Sequence, residues 1–111
     1  MNWIPLTSEN QLADIITHSS ERTQVIFKHS TRCSTSSMVL NRLERSEASP
    51  SIDFYFLDLR QVRQLSAQVA EKFQVTHESP QVLVIKNGNC TFDESHFAIN
   101  MDEILEQSVP L

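Results

Sequence analysis

Glycine occurs once in these 111 residues, at Gly88. A single glycine excludes the Walker loop, the Rossmann fingerprint and the kinase loop, each of which needs several for close backbone approach to phosphate. No apolar run approaches the roughly 18–20 residues that would span a bilayer, so no membrane role is expected. Basic side chains are also scarce. Nine Lys and Arg against fourteen Asp and Glu leave a net charge of -5, which makes nucleic acid a poor partner. Cysteine appears only as Cys33 and Cys90, and the four histidines are scattered. That set lacks zinc-site spacing, and no metal is expected. Met1-Asn2-Trp3-Ile4-Pro5 is not a basic region followed by an apolar stretch, so it does not read as a signal peptide. The expected address is the cytosol, where both cysteines would be reduced thiols.

What is present suits one globular domain over residues 1–111. Hydrophobic residues make up 40% and charged residues 21%, too apolar for disorder, and the length suffices for one core. Ser8-Glu9-Asn10-Gln11 has the form of a capping box, and Leu12, Ile15 and Ile16 follow at helical spacing, predicting a helix over 8–19. Thr23–Lys28 is a short, β-branched run that reads as a buried strand. After a serine-rich stretch, Val39, Leu40 and Leu43 share one face of a second helix, from Cys33 or Ser34 to Glu47. Ile52–Leu57 reads as a second strand. Val62, Leu65, Val69 and Phe73 mark a third helix, and Val82–Ile85 a third strand. Asn87-Gly88 is a strong hairpin signal leading to a fourth strand near Cys90–Asp93, and Met101, Ile104 and Leu105 mark a closing helix. The order is α-β-α-β-α-β-β-α. Helical connections make the first two strands parallel, the hairpin makes the last two antiparallel, and a four-stranded mixed sheet with helices on both faces satisfies both.

Cys33 directly follows a buried strand and opens a helix. A helix start carries unpaired N–H groups and the positive end of the macrodipole, which favour a thiolate. Arg32 and Lys28 add positive charge nearby in sequence. A small buried cysteine behind a capping run is the plainer reading, but the Arg, Ser and Thr flank argues against a dry pocket. Ser36 stands three residues after Cys33, where a resolving cysteine would stand in a Cys-x-x-Cys motif. It cannot form a disulfide, though its hydroxyl can donate to a thiolate. Cys90 lies beyond the hairpin, roughly 20 Å of strand away, so any resolving thiol comes from another molecule. A Cys-x5-Arg phosphate loop fails because Val39 holds the arginine position. His29 reads as a polar strand terminus, His77 as a solvated loop residue, and Arg42 as a solvated helix face.

The element order, the cysteine after the first sheet strand, Ser79-Pro80 before the third and the Lys86-Asn87-Gly88 hairpin together resemble the thioredoxin fold. More narrowly, Phe27-Lys28-His29-Ser30-Thr31-Arg32-Cys33 with Glu78-Ser79-Pro80-Gln81-Val82-Leu83 resembles the bacillithiol-system YtxJ-like proteins, monothiol bacilliredoxins. The resemblance implies an oxidoreductase that removes bacillithiol from protein mixed disulfides, with Cys33 as the nucleophile. Its partners would be S-thiolated proteins and bacillithiol as co-substrate, with no tightly bound cofactor. It implies a cis Ser79–Pro80 bond that turns the backbone of Ser79 toward the sulfur. The substrate would then be held by Ser34, Ser36, Ser79 and Pro80, with Arg32 facing the malate carboxylates of bacillithiol. The paired-glycine turn by which glutaredoxins hold glutathione is replaced by Phe92–Phe97, which disfavours glutathione. A non-catalytic interaction module of the same fold and an arsenate-reductase-like enzyme are the other readings.

Overall fold

The computed structural model describes residues 1–60 and 63–109. Its elements are β1 (Ile4–Pro5), α1 (Glu9–His18), β2 (Thr23–His29), α2 (Ser34–Glu44), β3 (Ile52–Asp58), α3 (Arg63–Phe73), β4 (Gln81–Lys86), β5 (Asn89–Ser95), a 3-10 turn (His96–Ala98) and α4 (Met101–Gln107). Val62, expected near the start of α3, lies outside the described residues.

The sheet has five strands in the order β1-β3-β2-β4-β5, not the four expected. The additional strand is β1, which runs parallel to β3 through Ile4↔Tyr55 and Pro5↔Phe56. Two residues carry no alternation, which is why the sequence does not announce them. Pro5 is tolerated because an edge strand does not need every N–H. Leu6, buried at its end, donates from its N–H to Phe56 O at 2.9 Å. Gln11 then secures α1 to this edge. Its Oε1 accepts from Ser8 N at 3.1 Å, and its Nε2 donates to Pro5 O at 2.8 Å, the reciprocal half of the expected capping box.

β2 is the central strand, parallel to β3 and antiparallel to β4, and it is buried throughout. A strand buried on both faces reads as a continuous apolar run. Alternation then divides its side chains. Ile26 packs with Leu12 and Ile15 of α1 and Leu65 and Val69 of α3. Val25 and Phe27 pack on the other face with Val39 and Leu43 of α2 and Met101 and Ile104 of α4. Full burial of each such side chain contributes about 1.5–3 kcal/mol. The helices therefore cover both faces in pairs.

α2 ends at Glu44, one turn earlier than expected. The β4–β5 turn is built on Asn87 (φ 52°) and Gly88 (φ 80°). Two consecutive positive φ values suit an Asn-Gly hairpin. The turn is tied to the end of α1, with Asn87 N donating to Ser19 O at 2.9 Å and Gly88 N to Ser19 Oγ at 2.8 Å.

Candidate redox site at the start of α2

Cys33 is the N-cap of α2, with extended backbone (φ -104°, ψ 118°). Its N–H donates to Ser30 O at 3.1 Å, and its carbonyl accepts from Ser37 N at 3.1 Å. The loop and the first helical turn thus fix the residue from both sides. The side chain is half-buried, and the first turn of α2 contains no acidic residue. The N–H groups of a first turn lack helical partners and favour an anion at this position. Ser34 follows as the first helical residue and is exposed; Arg32 precedes Cys33 and is exposed.

Ser36 is fully buried. Its Oγ accepts from Ser30 N at 3.1 Å and lies 2.7 Å from His29 Nδ1. Burial holds the His29 imidazole below its ordinary pKa, against the opposing pull of Asp58 and Glu44. The sequence offered this hydroxyl to the Cys33 thiolate; among the described residues its near partners are Ser30 N and His29 Nδ1. Ser36 stitches the end of β2 to the first turn of α2, and so positions Cys33 from beneath. His29 ends β2 as expected, and it is buried there between Phe27 and Phe56, with ring centroids 6.1 and 5.3 Å away.

Lys28 alternates to the opposite face and so does not flank Cys33 directly. It is fully buried, with Nζ 3.2 Å from His77 Nδ1, which also meets Ser66 Oγ at 3.0 Å. Desolvation lowers the Lys28 pKa to about 8. His77 is held low by burial and by the Lys28 charge, against Glu78. A lysine whose folded pKa is depressed makes the unfolded state bind more protons between about pH 8 and 10.5, so its destabilising effect is full below that window and fades through it. Lys28→Met is therefore expected to be more stable than the native chain at pH 7, by about 1–3 kcal/mol. The gap should close as pH rises from 8 to 10. Urea midpoints at both ends of the window check this, and a constant gap would contradict it.

Ser79-Pro80 reaches the site through strand register. Lys28 pairs with Gln81 across β2 and β4, so the two preceding residues lie beside His29 and Ser30. The Ser79–Pro80 peptide is cis. Pro80 is buried, and Pro80 O accepts from His96 N at 3.0 Å. Ser79 Oγ is buried without a hydrogen-bond partner among the described residues. The two motifs, far apart in sequence, thus meet at one sheet end.

A third segment joins them. β2 and β3 are parallel in register, His29↔Asp58, and Leu59 N donates to His29 O at 3.0 Å. The loops after both strands therefore emerge side by side. Arg60 reaches Thr31 Oγ1 with its guanidinium at 3.3 Å. Between the loops opens a cavity of about 590 Å³, lined by Ser30, Arg32, Arg60, Arg63, Ser66 and His77 among others. Sequence reasoning missed Arg60 and Arg63. The available signal was their place just after a strand parallel to the one that delivers Cys33.

Arg42 belongs elsewhere. Its guanidinium donates to Phe97 O at 2.7 Å and also to Ile99 O. It clasps α2 to the segment before α4, and is neither a solvated helix face nor available to a substrate carboxylate. Cys90 lies in β5 opposite Ile85, whose β2 partner is Gln24. Gln24 is five residues, or about 17 Å, from the His29 end. Cys90 packs against the α1/α3 face of the core. Its Sγ donates to Phe92 O at 3.3 Å, and burial pushes its pKa up to about 11. Both thiols are free. Among the described residues, no group of His, Cys, Asp and Glu is arranged to hold a metal, and no helix is long and apolar enough to cross a membrane.

The sequence profile of the monothiol bacilliredoxin BrxC family matches residues 4–104. Among solved structures, a thioredoxin-fold protein proposed to be an oxidoreductase is 29% identical, with TM-score 0.80 over 94% of this chain and 91% of that one. Thioredoxin from Malassezia sympodialis superposes at 0.77 with 18% identity, covering 97% and 92%. Thioredoxin from Trypanosoma brucei brucei superposes at 0.70 with 12% identity, covering 96% and 85%. The last two show the fold alone.

Proposed function

The chain belongs to the monothiol bacilliredoxin BrxC family, and from that premise we propose that it removes bacillithiol from protein mixed disulfides through Cys33. Thiol–disulfide chemistry is supported generally by the family and by the thioredoxin-fold oxidoreductase neighbour. The observation that carries the narrower reading is the placement of one half-buried thiol at the start of α2, with no acid in that turn and the second thiol at the other sheet end.

In the first step the Cys33 thiolate attacks the bacillithiol sulfur of the protein mixed disulfide. The old S–S bond breaks, a new one forms between Cys33 and bacillithiol, and the target leaves as a thiolate that takes a proton from water. In the second, an external thiolate attacks the bacillithiol sulfur of the adduct and releases the Cys33 thiolate. No net oxidation occurs in either exchange. The N–H groups from Ser34 onward favour the anion, and the backbone at Ser79 can pair with an extended substrate segment beside Pro80. Such a protein works where low-molecular-weight thiols are kept reduced, in the cytosol.

The test uses a model protein carrying one bacillithiol on one cysteine. Incubation with this chain is expected to free the target thiol and move the bacillithiol mass onto Cys33 in equal amount. Bacillithiol remaining on the target, with this chain's mass unchanged, would sink the proposal.

A further inference from the structure

The cavity lined by Ser30 and Arg32, in the loop that leads to Cys33, has a composition at odds with the rest of the chain. Fourteen acidic residues outnumber nine Lys and Arg overall, yet among the described residues three arginines and no acid line this cavity. Among the described residues, none of the three arginines is in an ion pair. Behind the wall, the buried Lys28 ammonium donates to His77 Nδ1, also without a carboxylate partner among the described residues. His77 then carries its remaining proton on Nε2 and is itself a donor. The volume of about 590 Å³ is that of a small-molecule site, not of a protein interface.

From this we infer that the cavity is a carboxylate-recognition subsite for the low-molecular-weight thiol, with Arg32, Arg60 and Arg63 holding its acidic end while its sulfur meets Cys33. The inference rests on the thiol-exchange reading above and adds the residues that choose the co-substrate. Arginine suits the task because its planar fork grips a carboxylate in two parallel hydrogen bonds. Arg60 is already steadied by Thr31, 3.3 Å from its guanidinium, so less freedom is lost on binding. Thr31 stands two residues before Cys33, which couples the subsite to the loop that delivers the sulfur. Bacillithiol, with two carboxylates on its malate, fits this chemistry; a neutral thiol does not.

Two measurements separate this inference from the reading it rests on. The first compares rates of Cys33 modification by oxidised bacillithiol and by the neutral bis(2-hydroxyethyl) disulfide. The native chain is expected to prefer the anionic reagent at low salt and to lose that preference at high salt. The ratio of the two rates should fall about tenfold or more in Arg60→Gln/Arg63→Gln, since each charge-assisted contact is a strong one. An unchanged ratio would overturn the subsite while leaving thiol exchange intact. The second uses malate alone and the Cys33→Ser protein, so it needs no thiol chemistry. Saturable NMR shifts at Ser66 and His77, absent in the arginine double variant, are expected. Absence of saturable shifts in the Cys33→Ser protein, or displacement of malate by an acidic peptide that binds a hundredfold more tightly, would overturn it. The latter result would assign the cavity to the protein target.

Discussion

Iodoacetamide near neutral pH is expected to modify Cys33 at least about a hundredfold faster than Cys90. The thiolate is the nucleophile in alkylation. Burial pushes the Cys90 pKa to about 11, so only about one molecule in ten thousand carries the anion there at pH 7. Its Sγ is also engaged with Phe92 O and packed against the core. Cys33 is half-exposed at a helix start with no acid in the first turn. Cys33→Ser should accordingly abolish both rapid labelling and bacillithiol transfer, whereas Cys90→Ser should retain both. A non-catalytic module of the same fold would tolerate loss of Cys33. Comparable labelling of the two cysteines, or transfer by the Cys33→Ser protein, would count against the account.

How much of this was legible in advance depends on whether the signal was local. The strand ending at His29, the helix after Cys33 and the Asn87-Gly88 hairpin are each written in a few neighbouring residues. The structure places them with boundary shifts of one turn or less. The two-residue β1 was not legible, because it exists only through its partner Tyr55–Phe56 in β3. Lys28 and His29 illustrate a second limit. Alternation says that they face opposite sides, but only tertiary packing supplies their neighbours: His77, itself held by Ser66 of α3, for Lys28, and Ser36 of α2 for His29. Ser36 looked available to the sulfur because its spacing is that of a resolving residue; in the structure its Oγ lies against Ser30 N and His29 Nδ1.

The arginines show the same limit. Arg42, Arg60 and Arg63 look alike as residues, each basic and on or next to a helix, and only the position of Arg60 and Arg63 just after a strand sets them apart in sequence. The tertiary structure turns one into a clasp on the Phe97 and Ile99 carbonyls and brings the other two into one cavity with Ser30 and Arg32. The replacement of the paired-glycine turn was legible. The structure adds that the region continues as β5 to Ser95 and then a 3-10 turn, held by that clasp.

The central claim is that one thiol does the chemistry and that the chain cannot close its own disulfide. A disulfide requires Cα atoms within about 7 Å. Cys90 sits opposite Ile85, at the Gln24 end of β2, about 17 Å of strand from the end that delivers Cys33. It also packs on the sheet face of α1 and α3, whereas Cys33 opens α2 on the other face. The most direct test is the intact mass of the native monomer after treatment with excess oxidised bacillithiol. The predicted product is heavier by one bacillithiol, with the adduct on Cys33 and Cys90 still a free thiol. A monomer lighter by two hydrogens and carrying no adduct would mean that Cys33 and Cys90 pair, and it would contradict both the strand arrangement and the single-thiol mechanism.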